Sequence, residues 1–95
     1  MLNITTDNYP DAPRIEFPCD YPVKVMGEAH ADFHAEVLEV FHRHAPGITE
    51  ERISIRSSAG GKYSAITVVI YATGKEQLEV LFADLKRLTA VRLVL

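Results

Sequence analysis

The feature that most constrains the fold is a hydrophobic period that switches along the chain between about two and about 3.6 residues. In "YPVKVMGEA" (21–29), Val23 and Val25 face one way while Pro22, Lys24 and Met26 face the other, as in a half-buried strand. From about Ala31 to His44 the spacing lengthens. Phe33, Val37, Val40, Phe41 and His44 fall on one helical face, with Asp32, Glu36, Glu39 and Arg43 largely off it. Pro46 and Gly47 end that helix. "RISIRS" (52–57) alternates again, with Ile53 and Ile55 opposite Arg52, Ser54 and Arg56. After the loop "SAGG", the stretch "KYSAITVVIYA" (62–72) continues as a long strand. Its inward set is Ile66, Val68 and Ile70, opposite Ala65, Thr67, Val69 and Tyr71. Thr73 and Glu76 have the T-x-x-E spacing of a capping box. Leu78, Leu81, Phe82, Leu85 and Leu88 then mark a second helical stripe. The ending "AVRLVL" (90–95) reads as a last strand burying Val91, Leu93 and Leu95.

The element order is therefore β-α-β-β-α-β. With the middle strands joined as a hairpin and right-handed helical crossovers, the economical solution is an α+β ferredoxin-like sandwich. Two helices would cover one face of a four-stranded antiparallel sheet of order 4-1-3-2. The second face would be left open. Ninety-five residues make one such domain. Residues 1–14, with Asp7, Pro10, Asp11 and Pro13 and little apolar content, read as a flexible leader to a domain spanning 15–95.

Composition narrows the function classes. A formal charge of −3 gives no support to a general affinity for nucleic acid or acidic membranes. The N-terminal stretch lacks a basic cluster followed by an apolar core, and no apolar run approaches the ~20 residues of a membrane span. A single cysteine, Cys19, cannot form an intrachain disulfide and fits a reducing compartment. The expectation is a cytoplasmic protein without membrane attachment. Asn3-Ile4-Thr5 is then a chance match to a glycosylation acceptor.

"SSAGGKYS" (57–64) has the look of a phosphate-binding loop, but a Walker loop requires a glycine where Arg56 stands and a hydroxyl where Tyr63 stands. A strand follows instead of a helix, so Gly60 and Gly61 read as hairpin residues with positive φ. A looser anion site using Ser58, Gly60, Gly61 and Lys62 stays open. RNA-recognition domains share the topology and stack bases on aromatic rings of the central strands. Here only Tyr71, and Tyr63 at the strand start, offer rings, although Lys24, Arg52, Arg56 and Arg92 bring positive charge. Nucleic acid is therefore the less favoured partner. Four histidines crowd "HADFHAEVLEVFHRH" (30–44), yet His42 and His44 diverge by about 200° around a helix, so no metal site is expected. His30, His34 and His42 read as solvated and His44 as lying at the core edge. Neither Cys19, placed before the first strand, nor the loop hydroxyls of Ser57 and Ser58 has an evident activating base. A non-enzymatic protein without a cofactor is expected.

The open sheet face is expected to carry Met26, Val69, Tyr71 and Val94 among charges, a patch for a second copy of the chain or another protein to cover. A protein-interaction adaptor is accordingly an alternative function, with RNA binding a third.

Taken in order and spacing, "VKVMGEA", "RHAPG", "SSAGGKYSAITVVIYAT" and "VRLVL" resemble the YbeD-like family of small bacterial proteins, from roughly residue 15 onward. The resemblance implies a ferredoxin-like fold similar to ACT-type regulatory domains, which bind small ligands such as amino acids. It also implies a lipoic-acid-binding regulatory role, suggested by lipoate-biosynthesis neighbourhoods in bacterial genomes. ACT-type domains usually hold their ligand near the turn from first strand to first helix, here Met26-Gly27-Glu28. On that reading Gly27 lets backbone amides approach a carboxylate, with Lys24 as countercharge and Met26 beside them. The expected ligand is a small carboxylic acid such as lipoate.

Overall fold

A computed structural model describes residues 16–95, so the leader assigned to 1–14 lies outside the described residues. Along the chain run β1 (Cys19–Glu28), α1 (Phe33–His44), a 3₁₀ turn (Glu50–Arg52), β2 (Ile53–Ser57), β3 (Tyr63–Ala72), α2 (Lys75–Lys86) and β4 (Val91–Val94). The four strands form one antiparallel sheet of order β2-β3-β1-β4. This is the expected ferredoxin-like sandwich.

β1 and β3 are ten residues each and pair along their whole length, from Cys19 opposite Ala72 to Glu28 opposite Tyr63. Their inward residues Val23, Val25, Ile66, Val68 and Ile70 are fully buried against Phe33, Val37 and Phe41 of α1 and Leu81 and Leu85 of α2. Removing each such side chain from water contributes roughly 1.5–3 kcal/mol, which is why alternation and helical stripe must face each other. Cys19, expected ahead of the first strand, is its first residue because the β3 ladder extends to Ala72.

Two local expectations are corrected. Arg92 is an extra residue between the pairs Gly27–Val91 and Met26–Leu93, a bulge that reverses the alternation of β4. Val94, opposite Val25, is therefore buried, whereas Leu93 and Leu95 lie on the open face, 45% and 58% exposed. At the start of α2, Thr73 and Glu76 make no capping box. Gly74 occupies the cap, and Gln77 Oε1 accepts hydrogen bonds from both the Thr73 amide (2.7 Å) and the Thr73 hydroxyl (3.2 Å). Gln77 Nε2 in turn donates to the His44 carbonyl, joining the start of α2 to the end of α1.

α1 stops where expected. The Ala45 amide closes on the Phe41 carbonyl, Pro46 cannot continue the helix, and Gly47 takes φ +88°.

Candidate functional site

The residues expected to form a ligand site at the end of β1 do not converge. Lys24 and Met26 project from the open face, while Gly27 faces the helices. A Cβ on Gly27 would lie 2.3 Å from the Ala90 carbonyl oxygen and 2.7 Å from the Phe33 ring, so glycine is required there for packing. The amides beyond it are already engaged: Glu28 donates to the Ala90 carbonyl and Ala29 to the Lys62 carbonyl. A carboxylate arriving at this turn finds those two donors occupied.

The "SAGG" loop is likewise occupied with holding itself together. The Gly61 amide donates to the Ser58 carbonyl, the Ser58 amide to the Tyr63 carbonyl, and the Tyr63 amide to Ser58 Oγ. Only Gly61 has positive φ (+71°), so of the two glycines expected to need it, Gly60 does not. Ser58, Gly60, Gly61 and Lys62 are all exposed on a hairpin turn.

The histidines separate. His30 is exposed and its Nδ1 accepts the Asp32 amide, and His42 is exposed on α1. His34 is not simply solvated: its Nε2 lies 2.9 Å from Ser64 Oγ. Ser64 is a serine–histidine pairing that sequence reading missed, because thirty residues separate the two. The Ser64 hydroxyl donates to the Arg56 carbonyl, which leaves His34 Nε2 as the donor to Ser64 rather than as a base. Ser64 is also only 2% exposed, and the pair fastens α1 to β3. His44 stands at the core edge as expected, with Nε2 donating to Asp84 Oδ2 at 2.6 Å. That hydrogen bond, with the nearby charges of His44, Arg87 and Arg43, holds the Asp84 carboxyl below its ordinary range against an opposing effect of burial. Among the described residues no three metal-ligating side chains gather.

What the fold does assemble is a hollow of about 430 Å³ at one end of the sheet. Its floor is Val69 and Tyr71 of β3, one wall is the Ala45–Ile48 loop after α1, and another is the Thr73–Gln77 start of α2. Arg52 closes it from the 3₁₀ turn, its guanidinium steadied by Asp20 of β1 at 3.0 Å. Two stretches remote in sequence, 45–52 and 69–77, meet here. Arg52 was legible only as a charge beside a strand, and nothing in its spacing pointed to Gln77 or Ile48.

The rest of the open face is mixed. Met26, Leu93 and Leu95 cluster on the β1–β4 side, Lys24 and Thr67 sit opposite each other near the centre, and Arg92 pairs with Glu28. Val94, expected on this face, is buried by the register shift that brings Leu93 and Leu95 to it. Tyr63 and Tyr71 lie at opposite ends of β3, about 26 Å apart by strand rise, too far to stack neighbouring bases. No helix among the described residues is long and apolar enough to cross a membrane.

The fold is shared with solved structures. The solution structure of protein HP0495 from H. pylori superposes with a TM-score of 0.63 over 93% of this chain and 92% of that one, at 16% identity. The ACT domain from the GTP pyrophosphokinase of Chlorobium tepidum gives a TM-score of 0.57 over 81% of this chain and 97% of that one, also at 16% identity. At that identity the likeness shows the fold. Closer in sequence is a UPF0250 protein of Azotobacter vinelandii, 43% identical over 91 residues, 95% of this chain and 99% of the relative. Residues 12–95 match the family described as "Protein of unknown function (DUF493)". The chain belongs to this DUF493, or UPF0250, family of small bacterial proteins, the YbeD-like family that its motifs resemble.

Proposed function

We propose that the protein is a small, non-catalytic regulatory module of the cytoplasm that binds a carboxylic acid with an apolar tail, lipoate being the candidate its family resemblance suggests. The observation that carries this reading is the hollow beside Arg52. Arg52, whose guanidinium has N–H donors beyond the one given to Asp20, lines the same hollow as Val69 and Tyr71. Such a site would take a carboxylate at the arginine and a short aliphatic chain along the floor. The ACT-like fold supports a regulatory role, and we place the ligand in the hollow in preference to Lys24, Met26 and Gly27.

The test is calorimetric titration of lipoate, octanoate and free amino acids into the wild-type chain and Arg52→Gln. Tailed acids should release heat and raise the melting temperature, amino acids should do neither, and Arg52→Gln should lose about tenfold or more in affinity through loss of the charged hydrogen bonds. Absence of heat and of thermal shift with millimolar lipoate and octanoate overturns the proposal.

A further inference from the structure

The free edges of the sheet are not treated alike. Along β1, Lys24 exchanges both backbone hydrogen bonds with Leu95, so the backbone groups of even-numbered residues point toward the β4 side. Below Lys24 that side has no partner among the described residues, and Pro22 stands where an N–H would point outward. A proline there blocks strand addition. β4 is only four residues long and is bulged at Arg92.

β2 has none of these protections. "ISIRS" contains no proline, lysine or bulge, and its pairing with β3 is regular throughout. The Ser58 amide donates to the Tyr63 carbonyl, and the Arg56 carbonyl receives the Ser64 hydroxyl from the β3 side. The backbone groups of Ser54 and Arg56 thus face β3, and those of Ile53, Ile55 and Ser57 face outward. Ile55, though on the helix side of the sheet, is 45% exposed because the helices do not extend over this edge.

We propose that β2 is an interface for a second copy of this chain, pairing antiparallel with its counterpart about a two-fold axis at Ile55. In that register Ile55 meets Ile55, Ile53 meets Ser57, and each Arg56 lies opposite a Ser54. All three outward-facing residues of each strand then gain partners. Centring the axis on Ser54 would place Arg56 against Arg52, and centring it on Arg56 would oppose two arginines, so charge selects the Ile55 register. The same register brings the Lys62 end of one hairpin to the Glu50–Glu51 end of the other. A face-to-face dimer would instead enclose Lys24 near the centre of the open sheet without a partner, an unfavourable burial. The product is one continuous eight-stranded sheet. It requires no bound acid, so it stands or falls separately from the proposed function.

Sedimentation equilibrium on the full chain, without added ligand, tests the interface. A small edge contact of this kind predicts a dimer forming at about 10–500 µM. Ser54→Arg opposes arginines twice across the axis and should weaken dimerisation about tenfold, and adding Arg56→Glu to that variant should restore it. Both positions are exposed in the single copy, so neither change disturbs the fold. Dilution should move the amide resonances of Ile53–Ser57. A chain that stays monomeric at about 1 mM, a dimer indifferent to Ser54→Arg, failure of the second change to restore it, or dilution shifts centred on Lys24 and Thr67 each overturns the proposal.

Discussion

At the scale of single residues, the glycine of the β1–α1 connection shows how a plausible ligand position can be a packing position. Gly27 sits where the Phe33 ring and the Ala90 backbone both come within a distance that a methyl group cannot occupy. The ring has no free direction, because Phe33 is wholly buried. Gly27→Ala should therefore destabilise the chain by about 1–3 kcal/mol, seen as a lower urea midpoint with an unchanged slope. An alanine variant as stable as wild type would mean that the backbone yields more easily than this packing allows. That a glycine belonged here was legible, since a strand ended and a helix began. Which atoms demanded it was not, because Ala90 lies more than sixty residues away.

Between elements, the two helices are tied by polar contacts that neither helix reveals alone. His44 at the end of α1 reaches Asp84 near the end of α2, and Gln77 at the start of α2 reaches the His44 carbonyl. Asp84 is held in its ionised form, so its carboxyl titrates lower in the folded chain than in the unfolded one. The unfolded chain then binds the proton more readily, so stability rises with pH across this range. The contribution is fully present above the unfolded carboxylate value near 4 and disappears as pH drops through the lower folded value. Asp84→Asn should remove this dependence: wild type should be the more stable at pH 6, with the gap closing by about pH 2 in urea titrations. Parallel wild-type and variant curves across that range would exclude the effect. The helical stripes themselves were plain from the spacing of Phe33, Val37, Phe41, Leu81 and Leu85, all of which are buried. The start of α2 was not: Thr73 and Glu76 have the right spacing for a box, but the chain places Gly74 at the cap and recruits Gln77 instead.

For the whole molecule, the paired β1 and β3 strands form the axis on which everything else is mounted. They share the longest ladder, and both helices seal its inward residues. Hydrogen exchange should accordingly be slowest at Val23, Val25, Ile66 and Val68, which open only with global unfolding, and faster by orders of magnitude along β2 in dilute solution. Comparable protection on β2 and β3 in the monomer would contradict this hierarchy. The open side of the same sheet is left uncovered by the helices. One end of it borders the hollow at Arg52, and β2 is its exposed edge.

The order of strands and helices, the inward set of each long strand and the buried stripe of each helix were determined by the sequence alone. They depend on spacing between near neighbours, and any chain with those periods must turn the same residues away from water. Only the tertiary structure decided the rest: the bulge that turns Leu93 and Leu95 outward, the bonds from His34 to Ser64 and from His44 to Asp84, and the meeting of Arg52 with Tyr71 and Gln77. Each of these joins segments far apart along the chain. Their pairing is set by how the sheet registers and how the helices lie across it, a geometry that no local pattern encodes.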